Sequence, residues 1–351
     1  MQWRYIPIFW VLFAVIFLMA GFFIFSKEST FSVLSARIDR PIQKNQITQP
    51  IVLMAVGDIM LDRGVKYMVD KYGNGDFNFV FNGIKDYLNK ADILFGNLEG
   101  PISNRGVRVG SIYSFRFSPT STLALKEAGF DILSIANNHM FDYQAIALGD
   151  TMANLQKSGI DYVGAGNNET EAFSLKVKEI QGVKFGFLAF ENLGHESWKA
   201  GGPAQSPAGN EAGGDKTGMA WVGWGDFDEV KETIAQSKQQ VDILVVSLHA
   251  GVEYQTLPDD FQIAFDKMAI DSGADLVVGH HPHVIEPLEK HNNGWIIYSL
   301  GNFIFDQYFS PQTMEGGLLK VEIVDKKISN VILEKVKLNK YYQPILLSTK
   351  L

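Results

Sequence analysis

The chain has 351 residues, a formal net charge of −8 and no cysteine. The missing thiols exclude disulfide frameworks, zinc ribbons, cysteine nucleophiles and iron–sulfur sites, and a 46 % hydrophobic content excludes a mostly disordered protein. An acidic chain without a basic stripe speaks against nucleic acid as a partner, because phosphate contacts need clustered Lys and Arg.

Ile6 to Phe25 reads IPIFWVLFAVIFLMAGFFIF and carries no charge. A helix of about 20 apolar residues crosses a bilayer core, and Trp3, Tyr5 and Trp10 suit an interfacial aromatic belt. The apolar run exceeds the roughly 7 to 15 residues of a cleaved signal. The expectation is a single-pass anchor over 1–27, a polar tether over 28–49 and one domain over 50–345. The membrane is then one partner, and the domain is expected outside the cytoplasm at the cell membrane.

From Ile51 onward short apolar runs alternate with amphipathic stretches. Strands are expected at 51–56, 92–96, 131–135, 161–164, 184–190, 242–248, 275–279 and 295–299, and helices at 77–90, 119–129, 143–158, 226–240 and 258–272. Gly129, Gly159 and Gly273 stand where helices stop. The alternation implies an α/β fold with mostly parallel pairing, its strands buried on both faces. Residues 201–218, rich in Gly, Pro and Ala, read as a surface loop, and 317–338, alternating around Asp325-Lys326-Lys327, as an antiparallel hairpin.

Metal-competent residues follow the apolar runs. Asp58 stands in GDIMLDR, Asn97 and Glu99 in GNLEG, Asn137, Asn138 and His139 in ANNHMFDY, His249 in SLHAGVEY, His280, His281 and His283 in GHHPHV, and Asn302 and Asp306 in SLGNFIFD. Open α/β sheets bind ligands beyond the carboxyl ends of their strands, so these groups are expected to converge on one crevice. Mixed oxygen and imidazole donors suit one or two divalent ions, Mn, Fe, Zn or Mg. Asp142 and Glu253-Tyr254 stand where they can orient the ligating histidines or cap helices. His195 and His291 lie in loop-like sequence and receive no role. GAGNNE at 164–169 lacks the third glycine of a dinucleotide fingerprint, and no phosphate-binding loop or GxSxG elbow occurs.

GDIMLDR, GNLEGP, AGFDIL, IANNHMFDY, VSLHAGVEY, GADLVVGHHPHVIEP and YSLGNFIFD together resemble the CapA family of bacterial poly-γ-glutamate capsule synthesis proteins, from about Ile51 to Asp306. That family resembles the calcineurin-like metallophosphoesterases. The resemblance implies an α/β/β/α sandwich behind an N-terminal transmembrane helix. It implies a metal site of Asp58, Asn138, His249 and the GHHPH histidines, with His139 as the acid. Either His280 or His281 pairs with His283. The sequence departs from the pattern at Met60, where the first motif has His, and at Asn97, where the second has a bridging Asp; Glu99 is the expected carboxylate ligand instead. Asn97, Asn137, Asp142, Glu253 and Asn302 are expected behind the ligands or against substrate. The implied activity is metal-dependent hydrolysis in polymer synthesis or export. The substrate is an anionic polymer or a phosphate-containing group, and other capsule-synthase subunits are partners. The alternatives are a surface metallophosphoesterase of unrelated substrate and a noncatalytic scaffold.

Overall fold

The computed structural model describes residues 49–201 and 216–347. In chain order its strands are β1 (Ile51–Ile59), β2 (Ile93–Leu98), β3 (Ile132–Ser134), β4 (Asp161–Val163), β5 (Ala165–Gly166), β6 (Lys176–Ile180), β7 (Val183–Glu191), β8 (Gly218–Met219), β9 (Ile243–His249), β10 (Leu276–His280), β11 (Leu288–His291), β12 (Gly294–Ile297), β13 (Asn302–Ile304), β14 (Glu315–Val324), β15 (Lys327–Leu338) and β16 (Pro344–Leu346). The α-helices are α1 (Arg63–Tyr72), α2 (Lys85–Leu88), α3 (Ser121–Glu127), α4 (Gln144–Lys157), α5 (Glu169–Ala172), α6 (Phe227–Lys238) and α7 (Asp260–Asp271).

One sheet runs β16-β15-β14-β1-β2-β3-β4, with β13 pairing beside β1, and a second runs β11-β12-β10-β9-β7-β6. The strands are buried on both faces because their two side-chain phases serve different cores. Leu53, Ala55, Ile93 and Phe95 of the first sheet and Phe185, Phe187, Ile243, Val245, Leu276 and Val278 of the second share one core between the sheets. The Phe95 and Phe187 rings stack across it at 5.7 Å. In the opposite phase, Met54, Val56 and Leu94 pack on Val65, Val69, Leu125, Leu148 and Leu155 of α1, α3 and α4. Leu244, Val246 and Val277 pack on Val230, Ile234, Phe261 and Phe265 of α6 and α7. The layers are therefore helix, sheet, sheet, helix.

The expected hairpin forms as β14 and β15, whose turn residues Asp325 and Lys326 both take positive φ, 50° and 64°, as a type I′ turn requires. The helix expected at 77–90 does not form as one piece. Phe77–Phe81 is a 3-10 turn capped by Asp76, and α2 follows separately. Gly83, a poor helix former, lies between them, where a Cβ would meet the Pro344 carbonyl at 3.1 Å. Most of the 201–218 loop lies outside the described residues.

The expected single-pass localisation at the cell membrane is corrected here: among the described residues no helix is long and apolar enough to cross a membrane. The proposed anchor over 1–27 and nearly all of the tether over 28–49 lie outside the described residues.

Candidate metal centre

The inter-sheet phase of each central strand ends on a polar residue. Ile93 and Phe95 lead to Asn97, Ile243 and Val245 to Ser247 and His249, and Leu276 and Val278 to His280. Register then lines these residues up. Asp58 pairs with Asn97 of β2 and Asn302 of β13 in the first sheet, and His249 pairs with His280 of β10 and Glu191 of β7 in the second. Two rows of three thus meet at the carboxyl edge of the sandwich, all six residues buried. Close approach at this edge depends on Gly57, where a Cβ would lie 1.9 Å from the Gly301 carbonyl oxygen.

Asp58 is the hub. Its Oδ1 accepts from Asn97 Nδ2 at 2.9 Å and lies 3.2 Å from His280 Nδ1. Its Oδ2 accepts from the His281 amide at 3.2 Å and lies 3.3 Å from His283 Nδ1. Asn97 is held in turn by Asn137 Nδ2, which donates to its Oδ1 at 3.1 Å. His249 Nε2 faces Asn138 Oδ1 at 3.0 Å, and its Nδ1 faces Asn97 Nδ2 at 3.3 Å. Glu99 lies just past β2 with its Oε1 3.6 Å from His283 Nε2 and 3.8 Å from His139 Nε2. Ligand atoms of Asp58, Glu99 and His249 all fall within 4.8 Å of one another.

The donor set fits a divalent cation on two further observations. Both oxygens of Glu99, Nε2 of His280 and Nδ1 of His281 are buried without a hydrogen-bond partner, a costly arrangement when nothing pairs with them. The electrostatics agree. Burial, then the charges of Asp58, Glu253 and Asp142, push the Glu99 carboxyl well above its ordinary range. Burial also raises Asp58, but bonds and charge from His280 and His283 outweigh it and hold the group well below its ordinary value. Burial and its imidazole neighbours push His249 well down, and burial with the His283 charge brings His281 down to about 3. Neutral imidazoles are the form that binds metal. His281 and His283 take positive φ, 100° and 59°, a backbone strain that concentrates at functional sites.

His139 stands at the rim of this centre. Its Nδ1 lies 2.8 Å from Asp142 Oδ2, which also accepts from the Phe115 amide at 2.7 Å. The Phe115 ring lies against the imidazole, centroids 4.1 Å apart. Sequence reasoning thus placed Asp58, Asn97, Glu99, Asn137, Asn138, His139, Asp142, His249, His280, His281, His283 and Asn302 in one neighbourhood, and the structure brings them together. Glu253 is exposed on the loop after β9, outside the buried cluster. Asp306 is drawn away, pairing with Arg63 and capping Gly64 at the start of α1. Met60 is buried in the helix-side core. His195 and His291 make local contacts, with the Ser197 amide and Asp271. The reading missed Glu191. The odd-position phase Phe185, Phe187, Ala189 points to it, had the strand been carried one residue further.

The fold and the site together define a two-sheet α/β protein with a candidate metal centre of carboxylates and imidazoles at its strand ends. Its residues 52–307 match the family model described as bacterial capsule synthesis protein PGA_cap. The chain belongs to this family. It is 32 % identical over 302 residues to the capsule biosynthesis protein CapA of Bacillus anthracis, covering 84 % of this chain and 69 % of that one. It is 30 % identical over 273 residues to the PGA biosynthesis protein CapA of Bacillus subtilis (strain 168), covering 76 % and 66 %. The matches therefore span about two thirds of these relatives' length. Among solved structures, a phosphatase of Mycoplasma pneumoniae aligns with a TM-score of 0.49 at 17 % identity over 82 % of this chain and 94 % of that one. A hypothetical protein of Thermus thermophilus aligns with a TM-score of 0.48 at 14 % identity over 82 % and 99 %.

Proposed function

We propose that this chain is a divalent-metal-dependent hydrolase of the metallophosphoesterase kind that serves poly-γ-glutamate capsule synthesis. The observation that carries the reading is the buried meeting of Asp58, Glu99 and His249, with neither Glu99 oxygen hydrogen-bonded. Asn138, His283 and one or both of His280 and His281 complete the set of residues that would hold one or two ions. Bound divalent ions supply Lewis acidity and make water a nucleophile near neutral pH.

The chain's own residues do the rest. Asp58, Asp142 and Glu253 set negative charge around the centre and, on top of burial, keep Glu99 protonated, a field that repels a phosphoryl group or an anionic polymer until cations reverse it. Asp142 fixes the His139 ring with Nδ1 turned towards it, so that Nε2 faces the crevice and delivers a proton to the leaving group. The names of the Bacillus relatives support placement in polymer synthesis.

The test is elemental analysis of the purified chain with aryl-phosphate turnover in supplied Mn, Fe, Zn or Mg. Wild type is expected to hold about one or two ions per chain and to turn over substrate. Asp58→Ala and Glu99→Gln are expected to lose both. A wild-type chain that binds no metal and hydrolyses nothing with any of these ions would sink the reading.

A further inference from the structure

A chain of side-chain amides runs outward from the centre to the surface. His283 Nδ1 meets Asn302 Oδ1 at 3.0 Å. Asn302 Nδ2 donates to Gln307 Oε1 at 2.9 Å and to the Thr313 carbonyl at 2.9 Å. Gln307 Nε2 donates to the Tyr254 hydroxyl oxygen at 3.3 Å. The sense of every link follows from the backbone. The Thr313 carbonyl only accepts, so the Asn302 amide nitrogen must face it and Gln307 Oε1. Gln307 therefore turns its nitrogen towards Tyr254, and Asn302 turns its oxygen towards His283, whose Nδ1 must carry the proton. At the inner end His283 Nε2 is left as a lone pair facing Glu99. At the outer end the Tyr254 oxygen is already an acceptor, so its O–H points away from Gln307, on the side where Glu253 is the neighbouring acceptor that a bound anion would replace.

Tyr254 is held in place at a conformational cost. It adopts φ +66°, a true outlier for a bulky residue. Its amide donates to the Pro282 carbonyl at 2.8 Å, between the two strained histidines. The ring lies 6.2 Å from the His283 ring and meets Phe309 edge-on at 5.0 Å. Tyr254 nevertheless remains 41 % exposed. Glu253 and Glu99 are its acidic neighbours.

Resting on the function proposed above, we propose that Tyr254 is a substrate-contacting residue whose O–H, aimed outward by the Asn302–Gln307 chain, donates to an anionic oxygen of the group bound at the centre. The same chemistry serves a phosphoryl oxygen or a γ-glutamyl carboxylate, so the test uses both. Inorganic phosphate and γ-glutamylglutamate are titrated calorimetrically into the whole chain loaded with Mn²⁺, for wild type, Tyr254→Phe and Tyr113→Phe. Tyr113 is an exposed phenol in the neighbourhood of Tyr254 but outside the amide chain. Losing one hydrogen bond to a charged group weakens binding by about ten- to a hundredfold. Tyr254→Phe is expected to show that loss for whichever anion wild type binds, with unchanged metal content and melting temperature, while Tyr113→Phe binds as wild type. Phosphate as the bound anion assigns the contact to a phosphoryl group, and the dipeptide assigns it to the polymer. Equal affinity of wild type and Tyr254→Phe, or an equal loss in Tyr113→Phe, overturns the assignment while leaving the hydrolase reading intact. A wild-type chain that holds metal but binds neither anion overturns both.

Discussion

Replacing Glu191 by Gln tests whether the second sheet's row carries a carboxylate that the fold keeps protonated. Glu191 ends β7 beside His249. One oxygen accepts from the Leu193 and Gly194 amides at 2.8 and 2.7 Å, while the other is buried without a partner. Burial pushes the carboxyl up to about 7, with the two amide bonds pulling it back only partly. In the unfolded chain the group titrates near 4.5. Between those values the folded protein binds the proton and the unfolded chain does not. Its contribution is therefore fully present below about pH 4.5 and is lost as pH rises through about 7. A gap of about 2.5 units at 1.36 kcal/mol each amounts to about 3 kcal/mol. Gln keeps a carbonyl for the two amides but leaves its NH₂ unpaired, which adds an offset of about 1–3 kcal/mol that does not vary with pH. The assay is urea unfolding of both proteins, stripped of metal, from pH 4.5 to 8.5. Titrations of Asp58, His249 and His281 are common to both and cancel in the difference. The variant is expected to gain about 3 kcal/mol relative to wild type across that range. A difference flat to within about 0.5 kcal/mol would show that Glu191 is solvated or paired, and the buried orphan oxygen would lose its meaning.

Sequence made the strands legible because double burial writes them as unbroken apolar runs. IVLMAV and DILVVSL leave no other element of that length to form. The centre was legible for a related reason: strand ends are where a parallel sheet gathers polar groups, so Asp58, Asn97, His249 and His280 could be placed together without knowing the pairing. What stayed hidden depends on register and tertiary hydrogen bonding. His280 and His281 are indistinguishable by spacing. In the structure His280 continues the inter-sheet phase of β10, while His281 lies past the strand at φ +100° with its amide on Asp58. Helix α1 went unread because it starts abruptly at Arg63, at φ +48°, and offers only Val65 and Val69 as buried positions. Gln307 carries no local signal at all, since its role is set by Asn302 and Thr313, which fold against it. The anchor expected over 1–27 rests on apolar length, the flanking aromatic residues and the family resemblance, and it lies outside the described residues, among which no helix is long and apolar enough to cross a membrane.

Gly57→Ala would place a Cβ against the Gly301 backbone, which no rotamer change relieves. It is expected to cost about 3 kcal/mol or more and to lower the melting temperature by about 6 °C; a melt within about 1 °C of wild type would show that β1 and β13 can separate freely. On the proposed hydrolase reading, His139→Ala should reduce aryl-phosphate kcat by about 10²- to 10⁴-fold with metal content intact, and full turnover would remove its proton role. Asp142→Asn should behave differently, and the reason lies in one atom. Where an orienting Asp→Asn change lets the amide nitrogen face the imidazole, the ring takes the wrong tautomer and about 10⁴ in kcat is lost. Here Asp142 Oδ2 accepts from both His139 and the Phe115 amide. The Phe115 N–H obliges an asparagine to keep its oxygen at that position, so His139 retains its Nδ1–H and Nε2 still faces Glu99. Only the charge is lost. The difference between a charged and a neutral acceptor, roughly 1.4 kcal/mol, is about tenfold in kcat. A loss in Asp142→Asn as large as that of His139→Ala would mean the amide had flipped, and that Phe115 does not hold the pair in the sense its hydrogen bond implies.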